Sequence, residues 1–253
     1  MSPDAERLVL VEEADGTWIL SLNRPDRRNA LTYDSWLALD EAIEAAVEAD
    51  ATAIVLTGAG SFFCAGGDLK SGPAHGSGPL APAGRVALAQ RVLGRLRTCG
   101  VPAIAAVEGG AVGLGWSLTL ACDLVVAAED AFFLAPFVTR AVVPDGAITW
   151  RLVREVGRHR ASDILLRGRR LPASDAHDLG LVTDLVTAGT AVTAAREIAV
   201  DLAGSDRGAL ALTKGLLAAT EEAHLQSFGP LELTTATVAQ HGAAATKARA
   251  EFS

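Results

Sequence analysis

The sequence predicts an α/β fold built from repeated strand–turn–helix units. Two short apolar runs, Ala53–Thr57 and Ala103–Val107, each lead into a glycine-bearing turn and then a helix-like segment. Apolar runs of that length, bounded by turn residues, read as strands buried on both faces. An amphipathic stretch after Thr32 supplies a helix of the kind that covers such a sheet. With 253 residues, half of them apolar, the chain can bury a large core as one domain or one domain with a small appendage.

Taken in order, Arg7–Glu13 and Thr17–Asn23 form a hairpin around Ala14, Asp15 and Gly16, with Asp-Gly as the turn signal. Asn23–Asn29, which holds Pro25, breaks the pattern, and Thr32 then offers an N-cap. The helix that follows places Trp36, Leu39, Ile43 and Val47 on one face and leaves Asp34, Glu41, Glu44 and Glu48 in water. Strand 53–57 and turn 58–69 come next. The Gly- and Pro-rich segment 71–84 cannot form a regular element, and reads as a surface loop or as a lid beside the first turn. A helix from about Gly84 to Thr98 precedes strand 103–107, and helix 114–121 and strand 123–128 continue the alternation. After Gly146 the chain is mostly helical, near 146–156, 158–167 and 173–179, with a strand-like stretch at 181–186. Helices near 190–203, 206–223 and 230–250 follow, and their Ala-rich stripes suit packing against a neighbouring subunit or against the core.

A net charge of −8 argues against nucleic acid or an anionic membrane as a partner. Gly109–Cys122, the longest uncharged run near the middle, is shorter than the ~18–20 residues that a membrane span requires. No basic region followed by an apolar core opens the sequence, so no secretion signal is expected. Cys64, Cys99 and Cys122 have no metal-binding spacing, which fits a reducing cytoplasm and small buried thiols rather than nucleophiles. No metal is expected.

Chemistry concentrates in the two turns, Phe62–Leu69 and Gly109–Leu118. Small residues there expose backbone N–H groups, and a helix N-terminus adds its positive end. Two such groups converging on one point would hold an oxyanion, such as the oxygen of an enolate. Gly113–Leu118 is not a dinucleotide fingerprint, because the third Gly is missing and no acid follows at ribose distance. Gly115–Thr119 approaches the nucleophile elbow of serine hydrolases but has Thr in place of its last Gly.

In register, these segments resemble the enoyl-CoA hydratase/isomerase (crotonase) superfamily. Leu22–Pro25 with Arg28–Leu31 is similar to its N-terminal CoA-binding stretch, Phe63–Leu69 to its first oxyanion turn, and Val101–Val107 through Ala121–Leu124 to its second. Gly168–Val182 is similar to a downstream signature, and the likeness runs from about residue 7 to 195. The resemblance implies a spiral of ββα units over 1–195 and a C-terminal helical trimerisation region over 196–253, giving a homotrimer or a dimer of trimers. It implies an acyl-CoA substrate and no cofactor beyond the CoA that the substrate carries. The oxyanion N–H groups would belong to Gly67 and Leu114. Arg27, Arg28, Ala30, Ala65, Gly66, Asp68 and Leu69 would contact CoA, and Phe137 the acyl group.

The departures bear on the reaction. Hydratases of this family use two glutamates, and at those positions the chain has Ser117 and Phe137. Neither exchanges a proton at neutral pH. Asp145, in Pro144-Asp145-Gly146, matches instead the catalytic aspartate of dienoyl-CoA isomerases. The pattern Pro144-Asp145 to Thr149-Trp150 and Leu152, then Val156-Gly157-Arg158 to Ala161, is most similar to isomerases of 2-(1,2-epoxy-1,2-dihydrophenyl)acetyl-CoA. Asp145 beside Phe133 and Phe137 would sit in an apolar pocket with a raised pKa, and shuttle a proton along one face of the acyl group. Its plainest other role is a helix N-cap. An acyl-CoA isomerase therefore stands against an atypical hydratase and a non-catalytic acyl-CoA-binding homologue. Lys247 or Arg249 could reach CoA from the tail.

Overall fold

The hairpin forms as its turn residues dictate. In a computed structural model that describes residues 7–70 and 81–240, β1 (Val9–Ala14) pairs antiparallel with β2 (Thr17–Leu22). Asp15 and Gly16 both take positive φ, 51° and 76°, which matches the twist of a two-residue hairpin loop. For 81–82, 221–228 and several residues beyond 230, only the backbone is described.

Four parallel strands extend this pair: β3 (Ala53–Gly58), β4 (Ala103–Val107), β6 (Leu124–Ala128) and β9 (Asp184–Val186), in the order β1-β2-β3-β4-β6-β9. Side chains alternate across this sheet. Ile54, Leu56, Ala103, Ala105 and Val107 face the larger core, with Trp36, Leu39 and Ile43 of α1 (Tyr33–Glu48), Val92 and Leu96 of α2 (Ala81–Thr98) and Trp116 of α3 (Leu114–Ala121). Ala53, Val55, Ile104 and Ala106 face the other way, onto Ala191, Ala195 and Ala199 of α6 (Ala191–Ala203). Burial on both faces is why β3 and β4 read as unbroken apolar runs.

Thr32 caps α1 as expected, its Oγ1 accepting from Ser35 N at 3.1 Å. Val47 is a correction, being 37% exposed. The buried stripe of α1 runs Trp36, Leu39, Ala42, Ile43 and Ala46, and at ~100° per residue it passes beside position 47.

A second, three-stranded sheet escaped the sequence reading: β5 (Gly110–Val112), β7 (Phe132–Leu134) and β8 (Leu171–Pro172). Strands of two or three residues are too short for any periodicity to register. Downstream, α4 (Ile148–Arg167) is broken at Gly157 (φ 75°, ψ 161°), so it matches the two helices expected there. α5 (Ala173–Asp178) follows. The two final helices expected at 206–223 and 230–250 are one over the described residues, α7 (Arg207–Gln240), with Pro230 inside it. Residues 241–253, with Lys247 and Arg249, and 71–80 of the expected loop lie outside the described residues, whereas 81–84 belong to α2.

The expected boundary between 195 and 196 falls inside α6, whose alanine stripe packs on this chain's own sheet. α7 is tied down by Lys214. Its buried ammonium donates to Leu96 O (2.9 Å) and Val101 O (2.7 Å) and pairs with Asp123 Oδ2 (2.7 Å). Asp123 also accepts from Ala103 N at 2.7 Å, so α7, α2 and β4 meet at one ionic knot.

One buried amide organises the segment between β2 and α1. Asn29, 1% exposed, donates from Nδ2 to Ala59 O (3.0 Å) and Phe62 O (2.6 Å), and accepts from Arg24 N at Oδ1 (2.9 Å). Asn29→Ala would leave two carbonyls and one N–H without these partners, at about 1–3 kcal/mol for each group that water cannot reach. We expect a net loss of about 2 kcal/mol, measurable by urea denaturation; an unchanged midpoint would show that the amide is not structural.

Candidate active site

The first glycine turn is laced between two neighbours. On one side Ala65 N donates to Arg28 O (2.8 Å), Leu31 N to Gly66 O (2.8 Å) and Asp68 N to Leu31 O (2.9 Å). On the other, Cys64 N donates to Gly110 O (3.1 Å) and Val112 N to Cys64 O (2.9 Å). Leu31 pairs with Gly67 as a parallel bridge by bonding the residues that flank it. The N–H of Gly67 itself is therefore turned to the opposite edge.

That edge faces the start of α3. A Cβ built on Gly66 would lie 3.3 Å from Leu114 N, and one on Gly67 3.6 Å from Leu114 Cδ1. Leu114 is the first residue of α3, so its N–H has no acceptor within the helix. Gly115 packs so closely on the first turn that a Cβ there would meet Cys64 O at 2.4 Å. The structure thus brings Gly67 and Leu114, the two expected oxyanion donors, into the same place.

Asp145 arrives at the same place from the turn before α4. Ser117 Oγ lies 3.4 Å from Asp145 O and 3.5 Å from Gly113 O, with one hydrogen to donate to either. A Cβ on Gly146 would meet Leu114 Cδ2 at 2.7 Å and Ser117 Oγ at 2.9 Å. Asp145 Oδ1 is shielded from solvent. The N-cap position of α4 is taken by Ala147, two residues past Asp145. Phe137, 7% exposed, puts its ring 3.7 Å from where a Gly113 Cβ would be. Phe133 is a core residue packed on Trp116, ring centroids 5.5 Å apart.

Sequence reasoning missed Arg85. Its Nη2 lies 2.0 Å from where a Gly67 Cβ would stand, and its Nη1 is 3.4 Å from Asp68 O. Burial pushes the guanidinium pKa down, while the charges of Asp145 and then Asp68 hold it up. The surroundings of Asp145 are therefore not purely apolar. No motif marks Arg85, because its place depends on how α2 returns after residues 71–80.

The expected CoA contacts divide. Arg27 and Arg28 are exposed at the rim, Arg28 standing 5.5 Å over the Phe62 ring, and Leu69 is 37% exposed. Asp68 already pairs with Arg24 (2.9 Å), and the Ala30 carbonyl accepts from Arg24 Nη1 (2.5 Å), which leaves it a second lone pair. Cys64 is fully buried, and burial pushes its thiol up to about 12, which removes it as a nucleophile at neutral pH. No group of acids, histidines and cysteines among the described residues could hold a metal ion, and no described helix is long and apolar enough to cross a membrane.

Two glycine turns facing each other, with an acid delivered from the α4 side, are the arrangement that the resemblance implied, and comparison with known proteins bears on the family itself. The family model for enoyl-CoA hydratase/isomerase matches residues 12–252. A probable enoyl-CoA hydratase of Mycobacterium tuberculosis is 34% identical over 244 residues, 92% of this chain and 86% of its own. The 1,2-epoxyphenylacetyl-CoA isomerase of Escherichia coli is 34% identical over 229 residues, 88% of this chain and 87% of its own. The crystal structure of an enoyl-CoA hydratase from Mycobacterium avium subsp. paratuberculosis superposes with a TM-score of 0.88 at 27% identity, covering 96% of this chain and 98% of that one. By its fold, its paired turns and a match along nearly its whole length, the chain belongs to the enoyl-CoA hydratase/isomerase family.

Proposed function

We propose that the protein is an acyl-CoA thioester isomerase, moving a double bond or opening an epoxide through an enolate, with Asp145 as its acid and base. One observation carries this reading. Asp145 is seated beside the Gly67 and Leu114 turns, while both positions that hold the hydratase glutamates carry residues that cannot take a proton, Ser117 and Phe137.

The steps follow from the residues. The thioester oxygen accepts from Gly67 N–H and Leu114 N–H. Asp145 removes a proton from carbon; the C–H electron pair forms a new C=C bond and the carbonyl pair moves onto oxygen. The donors, fixed in advance, stabilise that charge more than water would. In a double-bond shift the enolate then collapses and takes the proton back at a different carbon. In an epoxide opening the collapsing pair breaks the adjacent C–O bond, and the resulting alkoxide oxygen takes that proton. Either way Asp145 is left ionised again. Atoms and electrons balance with no cofactor beyond the CoA of the substrate. Arg85 adds a cation beside both the carboxylate and the Gly67 turn, where the enolate oxygen collects charge. Arg27, Arg28, Ala30, Ala65, Gly66, Asp68 and Leu69 line the side from which CoA would enter.

Hydration of crotonyl-CoA is the discriminating assay. With no carboxylate at 117 or 137 to activate water, kcat should fall far below the ~10 s⁻¹ of a typical enzyme. A value near that figure would return the chain to the hydratases.

The assembly expected from the resemblance is part of the same proposal. The alanine stripe of α6 is spent on this chain's own sheet, but α7 leaves Leu212, Leu216 and Leu217 61–73% exposed. The sequence extends this stripe through Leu231, Leu233 and Val238; Leu233 is half-buried, and the side chains of the other two lie outside the described ones. An apolar row on a long helix suits burial by another copy. Light scattering should give three or six times the 26.0 kDa chain mass, and a monomer would refute the assembly.

A further inference from the structure

Gly67 leaves a notch that Arg85 fills. A Cβ on Gly67 would fall on Arg85 Nη2, whereas beyond its chain neighbours the nearest described atom outside Arg85 is Leu114 Cδ1, at 3.6 Å. Gly67 is not among the residues with positive φ, so its backbone does not require glycine. The missing side chain makes room for the guanidinium. Leu114, 4% exposed, leads from there to Asp145: its Cδ2 lies 2.7 Å from where a Cβ would stand on Gly146, the residue after Asp145. Arg85 and Asp145 thus approach the same buried side chain from two turns.

Of the two acids that keep Arg85 charged against its burial, Asp145 does more than Asp68. Such an attraction is mutual: it favours the ionised form of Asp145 as much as the ionised form of Arg85. The carboxyl group needs that support, because shielding of Oδ1 from water favours its protonated form, which cannot accept a proton from carbon. The described elements around Asp145 carry other charges. Arg97 of α2 and Arg151 of α4 line the cavity that Ser117 and Gly146 also line, and Arg140 lies on the segment before Asp145. Asp68 pairs with Arg24 at 2.9 Å, Arg91 and Arg95 of α2 pair with Asp40, and α3 has no charged residue. Arg85 is the cation of this group that sits against the Gly67 turn.

We propose that Arg85, seated in the notch at Gly67, is a positioning residue that holds Asp145 in its ionised, proton-accepting form. This rests on the assignment of Asp145 as the acid and base.

NMR of the whole protein, labelled with ¹³C at the aspartate carboxyl carbons, tests it without need of turnover. The signal of Asp145 is the one missing from Asp145→Asn. Arg85→Met should raise the pH at which Asp145 is half ionised by about one unit or more, as loss of a neighbouring opposite charge does. Arg85→Lys, which keeps the charge, should recover part of that change. Gly67→Ala, by turning the guanidinium out of the notch, should move the midpoint the same way, yet add little once residue 85 is Met. An Arg85 that only braces the fold would leave the midpoint where it is. A midpoint unmoved by Arg85→Met and by Gly67→Ala therefore overturns the proposal. Should Arg85→Met fail to fold, Gly67→Ala decides, since its Cβ displaces only the end of a flexible side chain. With 3-hexenoyl-CoA as the probe, the low-pH limb of kcat/KM should move together with the NMR midpoint. A midpoint that moves while that limb stays keeps the pairing of Arg85 with Asp145 and overturns Asp145 as the base.

Discussion

Asp145→Asn should retain the fold and the affinity for acyl-CoA while lowering turnover by roughly 10²–10⁴-fold, the range that a positioned proton-transfer group supplies. The change replaces one oxygen by an NH₂ of nearly the same size and keeps the turn that seats residue 146 against Leu114 and Ser117. Only the capacity to take up and return a proton is lost. Circular dichroism and titration with a saturated acyl-CoA establish the first half; a spectrophotometric isomerase assay establishes the second. Turnover near the wild-type rate would remove Asp145 from the mechanism.

Gly66→Ala should be the most damaging small substitution in the first turn. Gly66 has φ of +88°, a conformation that costs any other residue about 1–3 kcal/mol. An added Cβ would also lie 2.6 Å from Val112 O, a backbone atom that cannot swing away. Overpacking of that kind costs about 1–3 kcal/mol more. A total near 4 kcal/mol would lower Tm by roughly 8–16 °C in a chain of this size. Because relief of the clash must pull the Gly67 turn away from Leu114, activity should fall even at temperatures where the variant stays folded. A variant with wild-type Tm and turnover would show that the turn relaxes freely, and the close approach of the two donors would lose its support.

Both expectations concern residues that the sequence singled out, and the contrast with what it hid has a physical cause. Strands β3 and β4, the Thr32 cap and helix α3 are local: each is set by neighbours within a few residues, so each leaves a pattern in the chain. Strands β5, β7 and β8 hold two or three residues and exist only through partners that come from elsewhere. Pro230 reads as a helix end because it lacks an N–H, yet α7 runs through it. In the site, the glycine turns and Asp145 sit in motifs, whereas Arg85 reaches its place only when α2 folds back over α3. Charges far apart in sequence announce nothing until the helices that carry them have docked.

The knot at Lys214 couples two equilibria that would otherwise be separate. α7 carries Gly229 to a cavity that Ser117 and Gly146 also line, where its carbonyl is 3.4 Å from Gln90 Nε2 on α2, and the helix is held there through Leu96, Val101 and Asp123. If α7 peels away, the cavity loses the wall that Gly229 supplies, and a ligand that used that wall would be released. Whatever binds must therefore oppose the peeling, by RT ln(1 + [L]/Kd), or about 2.7 kcal/mol at a hundredfold excess over Kd. Backbone amides of α7 thus become reporters of occupancy, exchanging with solvent more slowly when the cavity is filled, although most of the helix never touches the ligand.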